Sequence, residues 1–246
     1  MTRPFSERIA IAAVEKKSPV VLALDPLSSP GKQSLPEVAA KTICAVEQYV
    51  CAVKMNFHII LPLSASEILW INKRAHSFGL QSIADIKLND IENTNAVAID
   101  LLTKMGFDAA IANPFIGRNA LASLVQKAHK ADAGIIALVY MSHPGAKEGF
   151  GLEVQGGRKL YKTFLGRAAA AGADGIVVGA TQLEILREVA GRLPVYSPGV
   201  GVQGGSAEQA IRSGSDYLII GRSIVEAKKP TKVAKEIQNR ILSIGK

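Results

Sequence analysis

Eight short runs rich in aliphatic and β-branched residues, each followed by enough chain for a helix, limit what this 246-residue sequence can fold into. They are Val20–Leu24, Cys51–Met55, Ser82–Lys87, Ala109–Ala112, Ile135–Tyr140, Gly175–Val178, Val195–Ser197 and Tyr217–Ile220. Helix signals fill the gaps. Ser64 with Glu67 and Thr181 with Glu184 fit capping boxes, Ser206 suits an N-cap, and Pro230 suits a first turn. Repeated βα units with right-handed crossovers close as a barrel or stay open as a doubly wound sheet, and eight of them favour closure. The expected fold is α/β: a single (β/α)8 TIM barrel with parallel strands.

Composition agrees with one domain spanning 1–246. Hydrophobic residues make up 48% of the chain and aromatics only 5%, with 22 glycines, as suits buried parallel strands under close-packed helices. No linker or low-complexity tract divides it. The longest irregular stretch, His143 to Gly157, follows the fifth run and reads as an ordered active-site loop. Charge interrupts the N-terminal apolar residues, and no later apolar run has spanning length, so neither a signal peptide nor a membrane segment is expected. Cys44 and Cys51 lack a CxxC spacing and read as buried small hydrophobes in a reducing cytoplasm. The net charge of +8 comes from Lys and Arg scattered among Glu and Asp, which points to a soluble surface and no nucleic-acid partner.

In a barrel of this kind the chemistry sits at the strand C-terminal ends. Asp25 ends the first run, Lys54 lies in the second, Asp85 and Lys87 in the third, and Ser142 follows the fifth. Asp85 and Lys87 are two apart, so a regular strand turns both side chains to the same side. Opposite charges about 4 Å apart attract by roughly 4 kcal/mol at an effective dielectric near 20, enough to keep Lys87 protonated in a partly dry site. Asp90 lies just past the strand and Thr94 is four residues on. The plainer reading is an ordinary βα connection in which Lys87 is solvated and Asp90 caps the third helix. Three charges at one strand end are costly unless used.

Two glycine-bearing loops follow the last runs: Ser197-Pro198-Gly199-Val200-Gly201-Val202-Gln203-Gly204-Gly205 and Gly221-Arg222-Ser223. Their backbone N–H groups, a following helix start and a bidentate Arg222 suit a phosphate. His58, His76, His129 and His143 show no metal-ligand spacing, and no GxSxG elbow is present.

These residues together resemble the orotidine 5′-monophosphate decarboxylase family in its compact single-function form. The signature DxKxxD reads Asp85-Ile86-Lys87-Leu88-Asn89-Asp90, with Ala23-Leu24-Asp25 and Val53-Lys54-Met55 upstream. Met141-Ser142-His143-Pro144-Gly145 is similar to the pyrimidine-recognition segment, and the two glycine loops to the phosphate loops. Glu92 departs from the pattern, since proline is common there. The resemblance implies that Lys87 protonates C6 of the pyrimidine after carbon dioxide leaves, with Asp85 near the substrate carboxylate and Asp25 and Lys54 completing a charged array. It implies a homodimer in which Asp90 and Thr94 reach the neighbouring subunit's ligand. Ser142 would read the pyrimidine edge, Pro198 line the pocket, and Gln203, Gly221 and Arg222 hold the 5′-phosphate. No cofactor and no metal are implied.

Two rivals remain at this point. Magnesium-dependent sugar-phosphate enzymes share DxKxxD but place a carboxylate where this chain has Lys54, and an ammonium repels a dication. A non-catalytic binder of phosphate or nucleic acid leaves Asp25, Asp85 and Asp90 unexplained.

Overall fold

The computed structural model describes residues 3–25 and 34–244. Eight parallel strands close into a barrel, each hydrogen-bonded to its neighbours in sequence and the last to the first. They are β1 (Val20–Ala23), β2 (Ala52–Asn56), β3 (Gln81–Leu88), β4 (Ala109–Ala112), β5 (Gly134–Tyr140), β6 (Gly175–Val178), β7 (Val195–Pro198) and β8 (Tyr217–Ile220). Closure is fixed by the pairing of Val20, Val21 and Leu22 with Leu218, Ile219 and Ile220. The expected fold is the one observed, and every expected run is a barrel strand to within two residues at either end.

The alternation of side chains sorts each strand into an inner and an outer row. Val21 and Ala23, Ile136 and Leu138, and Tyr217 and Ile219 belong to the interior cluster, while Val20, Leu22, Ile135, Ala137, Leu218 and Ile220 face the helices. Extending the inner rows toward the strand C-termini brings Asp25, Lys54, Asn56, Asp85, Pro198 and Gly221 to the barrel mouth.

The opposite end is plugged. Helix Phe5–Glu15 buries Phe5, Ile9 and Ala12 against the inner cluster. Gly134 opens β5 because a Cβ there would lie 2.5 Å from the Phe5 ring. Tyr196 and Tyr217 stack with centroids 4.6 Å apart, filling the interior above the plug.

A recurring device fixes this end. In Gly106-Phe107-Asp108, Gly172-Ala173-Asp174 and Gly214-Ser215-Asp216 the glycine takes positive φ and the aspartate precedes an even-numbered strand. Each carboxylate accepts a backbone N–H at the start of a neighbouring strand: Ser82 at 2.7 Å, Ile135 at 2.9 Å and Val195 at 2.8 Å. Strand ends that would otherwise leave donors unpaired are thereby satisfied.

Three local expectations are corrected. Thr181 does not cap helix Leu183–Val189; its hydroxyl is turned toward the Ser142 carbonyl at 3.5 Å, whereas Ser64 and Ser206 do cap their helices. Cys44 is exposed, because it lies off the buried stripe of helix Leu35–Val46 that contains Ala39, Ala40 and Ile43; Cys51 is buried. The His143–Gly157 stretch contains regular structure, a turn of helix at Ala146–Gly149 and an antiparallel pairing of Glu153–Val154 with Arg158–Lys159. Phe150 anchors it against Tyr140 and Phe164, at 5.6 and 6.1 Å between centroids. No helix of the described residues is long and apolar enough to cross a membrane.

Candidate active site

The barrel mouth opens into a cavity of about 370 Å³ whose floor is a row of alternating charges. Lys54 reaches Asp85 Oδ2 at 2.8 Å and Asp25 Oδ1 at 3.7 Å, and Lys87 reaches Asp85 Oδ1 at 2.7 Å. The order is Asp25, Lys54, Asp85, Lys87, so each inner member has an opposite charge on both sides. Burial of Asp85 is the largest single influence on it and favours the neutral acid. The attraction of Lys54 and Lys87 together outweighs that, and the carboxyl titrates below its ordinary value. Asp85 is therefore ionised at neutral pH, between the two lysines.

The third strand reaches this geometry by an unexpected route. Regular alternation places residues 85 and 87 on one side, but β3 is irregular here: Ala84 pairs with Ala110 and Leu88 with Ala112, four residues opposite two. Lys87 takes a left-handed backbone, φ 48°, which is uncommon for a residue with a side chain. The bulge, not the pleat, aims the Lys87 ammonium at Asp85.

Asn56 completes the row and was not among the sequence candidates. Its amide nitrogen donates to Asp25 Oδ2 at 2.8 Å and its oxygen accepts from Lys54 Nζ. The signal was present, since Asn56 lies two residues beyond Lys54 on the same inner row. His143 also lines the cavity.

The other candidates divide in two. Ser142, Pro198, Gln203, Gly221 and Arg222 line the same cavity as Asp25, Lys54, Asp85 and Lys87. Gly199 has φ 98°, and a Cβ on it would lie 2.9 Å from Gln203 Oε1 and 3.0 Å from Ser142 Cβ, so glycine lets the seventh loop fold against the fifth. At Gly221 a Cβ would lie 2.7 Å from the Asp25 carbonyl, which ties the eighth loop to the first.

Asp90 and Thr94, in contrast, are exposed and do not line this cavity. Asn95, buried at the start of helix Glu92–Lys104, holds the Asp90 backbone: Nδ2 donates to its carbonyl at 2.6 Å and Oδ1 accepts its N–H at 3.3 Å. Glu92 opens the helix and accepts a hydrogen bond from Ser123. Asp90 is thus held rigidly, but outward.

Among the described residues no cluster of three or more His, Cys, Asp or Glu could hold a metal ion.

The chain matches the family described as "Orotidine 5'-phosphate decarboxylase / HUMPS family" over residues 18–237. Orotidine 5'-phosphate decarboxylase of Methanosarcina mazei is 34% identical over 232 residues, which cover 93% of this chain and 97% of that one. A crystal structure of the Methanocaldococcus jannaschii orotidine 5'-monophosphate decarboxylase, complexed with inhibitor BMP, superposes with TM-score 0.76 at 30% identity, covering 90% of this chain and 97% of the other. Leishmania donovani UMP synthase gives TM-score 0.86 at 25% identity; the match covers 99% of this chain and 57% of that longer one. With its family signature carried on a closed eight-stranded barrel, this chain belongs to the orotidine 5'-phosphate decarboxylase / HUMPS family.

Proposed function

We propose that the whole chain, 1–246, acts as one domain that decarboxylates orotidine 5′-monophosphate to uridine 5′-monophosphate without a cofactor, the last step of de novo pyrimidine nucleotide synthesis. The observation that carries this reading is the charged row and the unequal exposure of its two lysines. The Lys87 side chain is 37% exposed and that of Lys54 only 4%, so Lys87 is the ammonium free to meet a ligand. The bond from C6 to the carboxylate breaks, carbon dioxide leaves, and the electron pair stays on C6 in a ring-plane orbital that delocalises poorly. Lys87 Nζ gives its proton to C6, and solvent later reprotonates the amine. An ammonium already fixed by Asp85 needs no reorganisation as that charge develops, and each 1.4 kcal/mol of such stabilisation is worth about tenfold in rate. Asp85 lies beside the substrate carboxylate, with Asp25 and Lys54 bracing it.

Ser142 reads the pyrimidine edge, Pro198 lines the pocket, and Gln203, Gly221 and Arg222 grip the 5′-phosphate. That remote grip supplies binding energy for desolvating the carboxylate. Metal-dependent sugar-phosphate chemistry is opposed by Lys54, whose ammonium already fills the space between Asp25 and Asp85.

The reading includes a homodimer with shared sites. Asp90 and Thr94 face out of their own cavity, and Thr94, Val97 and Leu101 form one stripe at helical spacing. Val97 and Leu101 are exposed, as are Phe57, Leu61, Ile91 and Phe115 in the segments that follow β2, β3 and β4. Exposed apolar residues on the segments that follow three consecutive strands suit a second copy. Residence in the cytosol fits two unpaired cysteines.

The test follows the loss of absorbance from orotidine 5′-monophosphate with EDTA present. Turnover is expected without added magnesium. A magnesium requirement, or no turnover by folded protein, overturns the reading.

A further inference from the structure

The seventh loop is well tied within itself and poorly backed from behind. Gly201 N–H donates to the Gly205 carbonyl at 2.9 Å and Gly205 N–H to the Gly199 carbonyl at 3.0 Å, so residues 199–205 form a closed unit. Behind it lies a cavity of about 490 Å³, lined by Val200, Gly201 and Gly205 on the loop side and by Val233, Ile237 and Arg240 on the side of helix Pro230–Leu242. Packing from that side therefore does not fix how far the loop leans into the barrel mouth; the close approach of Gly199 to Ser142 in front and the loop's two ends do. One end is β7, where the Pro198 carbonyl accepts from Ala180 N–H at 2.8 Å. The other is Ser206.

Ser206 belongs to a chain of contacts that runs to the C-terminal helix. Its hydroxyl accepts from Gln209 N–H at 3.3 Å and donates to Glu208 Oε2 at 2.8 Å. Arg240 holds the same carboxylate with both arms, Nε to Oε1 at 2.6 Å and Nη2 to Oε2 at 2.9 Å. That guanidinium, helped by Glu208's own backbone N–H and by Ser206, pulls the Glu208 carboxyl down to about 2, so the pair stays ionised in any ordinary assay buffer. A bidentate fork fixes orientation as well as distance.

We propose that Arg240 and Glu208 are positioning residues for the 5′-phosphate: through Ser206 they anchor the seventh loop to helix Pro230–Leu242 and so set where Gln203 stands. Neither residue lines the substrate cavity. The inference rests on the reading of Gln203 and Arg222 as the phosphate grip, and it adds a tether that the family signature does not contain.

The test is steady-state kinetics on the full chain with orotidine 5′-monophosphate, in the wild type and in a cycle of Arg240→Ala with Gln203→Ala. Arg240→Ala raises KM about fivefold and leaves kcat within about twofold. In the Gln203→Ala background the same substitution changes KM less than about twofold, because the group it positions is gone. Arg240→Lys recovers part of the loss. Should Arg240→Ala fail to fold, as judged by circular dichroism, Glu208→Gln carries the same test. Inhibition constants add a phosphate-specific readout: the variant weakens inhibition by uridine 5′-monophosphate and leaves inhibition by uridine unchanged. An unchanged KM, an equal effect in both backgrounds, or equal weakening of both inhibitors overturns the proposal alone. A wild type that neither turns over nor binds the nucleotides overturns the parent reading, and this one with it.

Discussion

Lys87 and Asp85 sit side by side yet should fail in different ways when changed. Removing the Lys87 side chain leaves Asp85 paired with Lys54 at 2.8 Å, so the buried charge keeps a partner. Lys87→Ala is therefore expected to fold, to bind uridine 5′-monophosphate, and to lose turnover by more than about a thousandfold. Full activity in that variant removes Lys87 from its role. Asp85→Asn instead leaves two ammoniums facing a neutral amide, which costs about 3 kcal/mol at pH 7 by urea unfolding. The pH dependence has a definite sign. Asp85 titrates below its ordinary value in the folded protein, so its contribution is fully present above the unfolded value near 3.9 and is lost as pH falls through the lower folded one. The stability gap between wild type and Asp85→Asn should be flat from about pH 7 to 5 and shrink below about 4. A gap that grows on acidification contradicts the assignment.

Elements show what a sequence discloses and what it hides. The eight strands were legible because parallel strands buried on both faces are continuous aliphatic runs, and turn residues punctuate them. Helix Phe5–Glu15 was not, because Phe5, Ile9 and Ala12 are its only buried residues and the charges Glu7 and Arg8 stand between the first two. Its importance becomes visible only from the other side, at Gly134. Gly134→Ala places a methyl 2.5 Å from the Phe5 ring and should destabilise the protein by about 2 kcal/mol in denaturant titration. Phe5→Leu in the same chain should recover part of that; additive losses would mean the ring is not the obstacle. At the site, Asp25, Lys54 and Asp85 are readable as strand-end charges, and Asn56 is readable only by the same period of two, since a neutral amide carries no charge to draw attention to it. The bulge that aims Lys87 was not readable, since nothing in Asp85-Ile86-Lys87 announces a left-handed backbone. The repeated Gly-Xaa-Asp before β4, β6 and β8 was open to view, and its meaning needed the neighbouring strand's N–H.

At the scale of the molecule the proposed pairing with a second copy can be tested through Asp90. Asp90 belongs to the same six-residue signature as Lys87, yet Asn95 holds it on the outside of its own barrel while Lys87 faces in. If each site draws Lys87 from one subunit and Asp90 from the other, two inactive variants should repair one another. Lys87→Ala and Asp90→Ala homodimers have no intact site. Unfolded together and refolded in equal amounts, they give about half heterodimers, and each heterodimer has one site with both residues and one with neither. The mixture should therefore recover about one quarter of wild-type activity. Mixing without exchange of subunits should recover none, and the recovery should disappear when Leu101→Glu on both chains breaks the exposed apolar stripe. Had Asp90 served its own subunit's substrate, every site in the heterodimer would lack one residue, and no mixing ratio would restore turnover. The geometry of one signature, split across two faces of a strand end, thus predicts a measurable stoichiometry in the assembled enzyme.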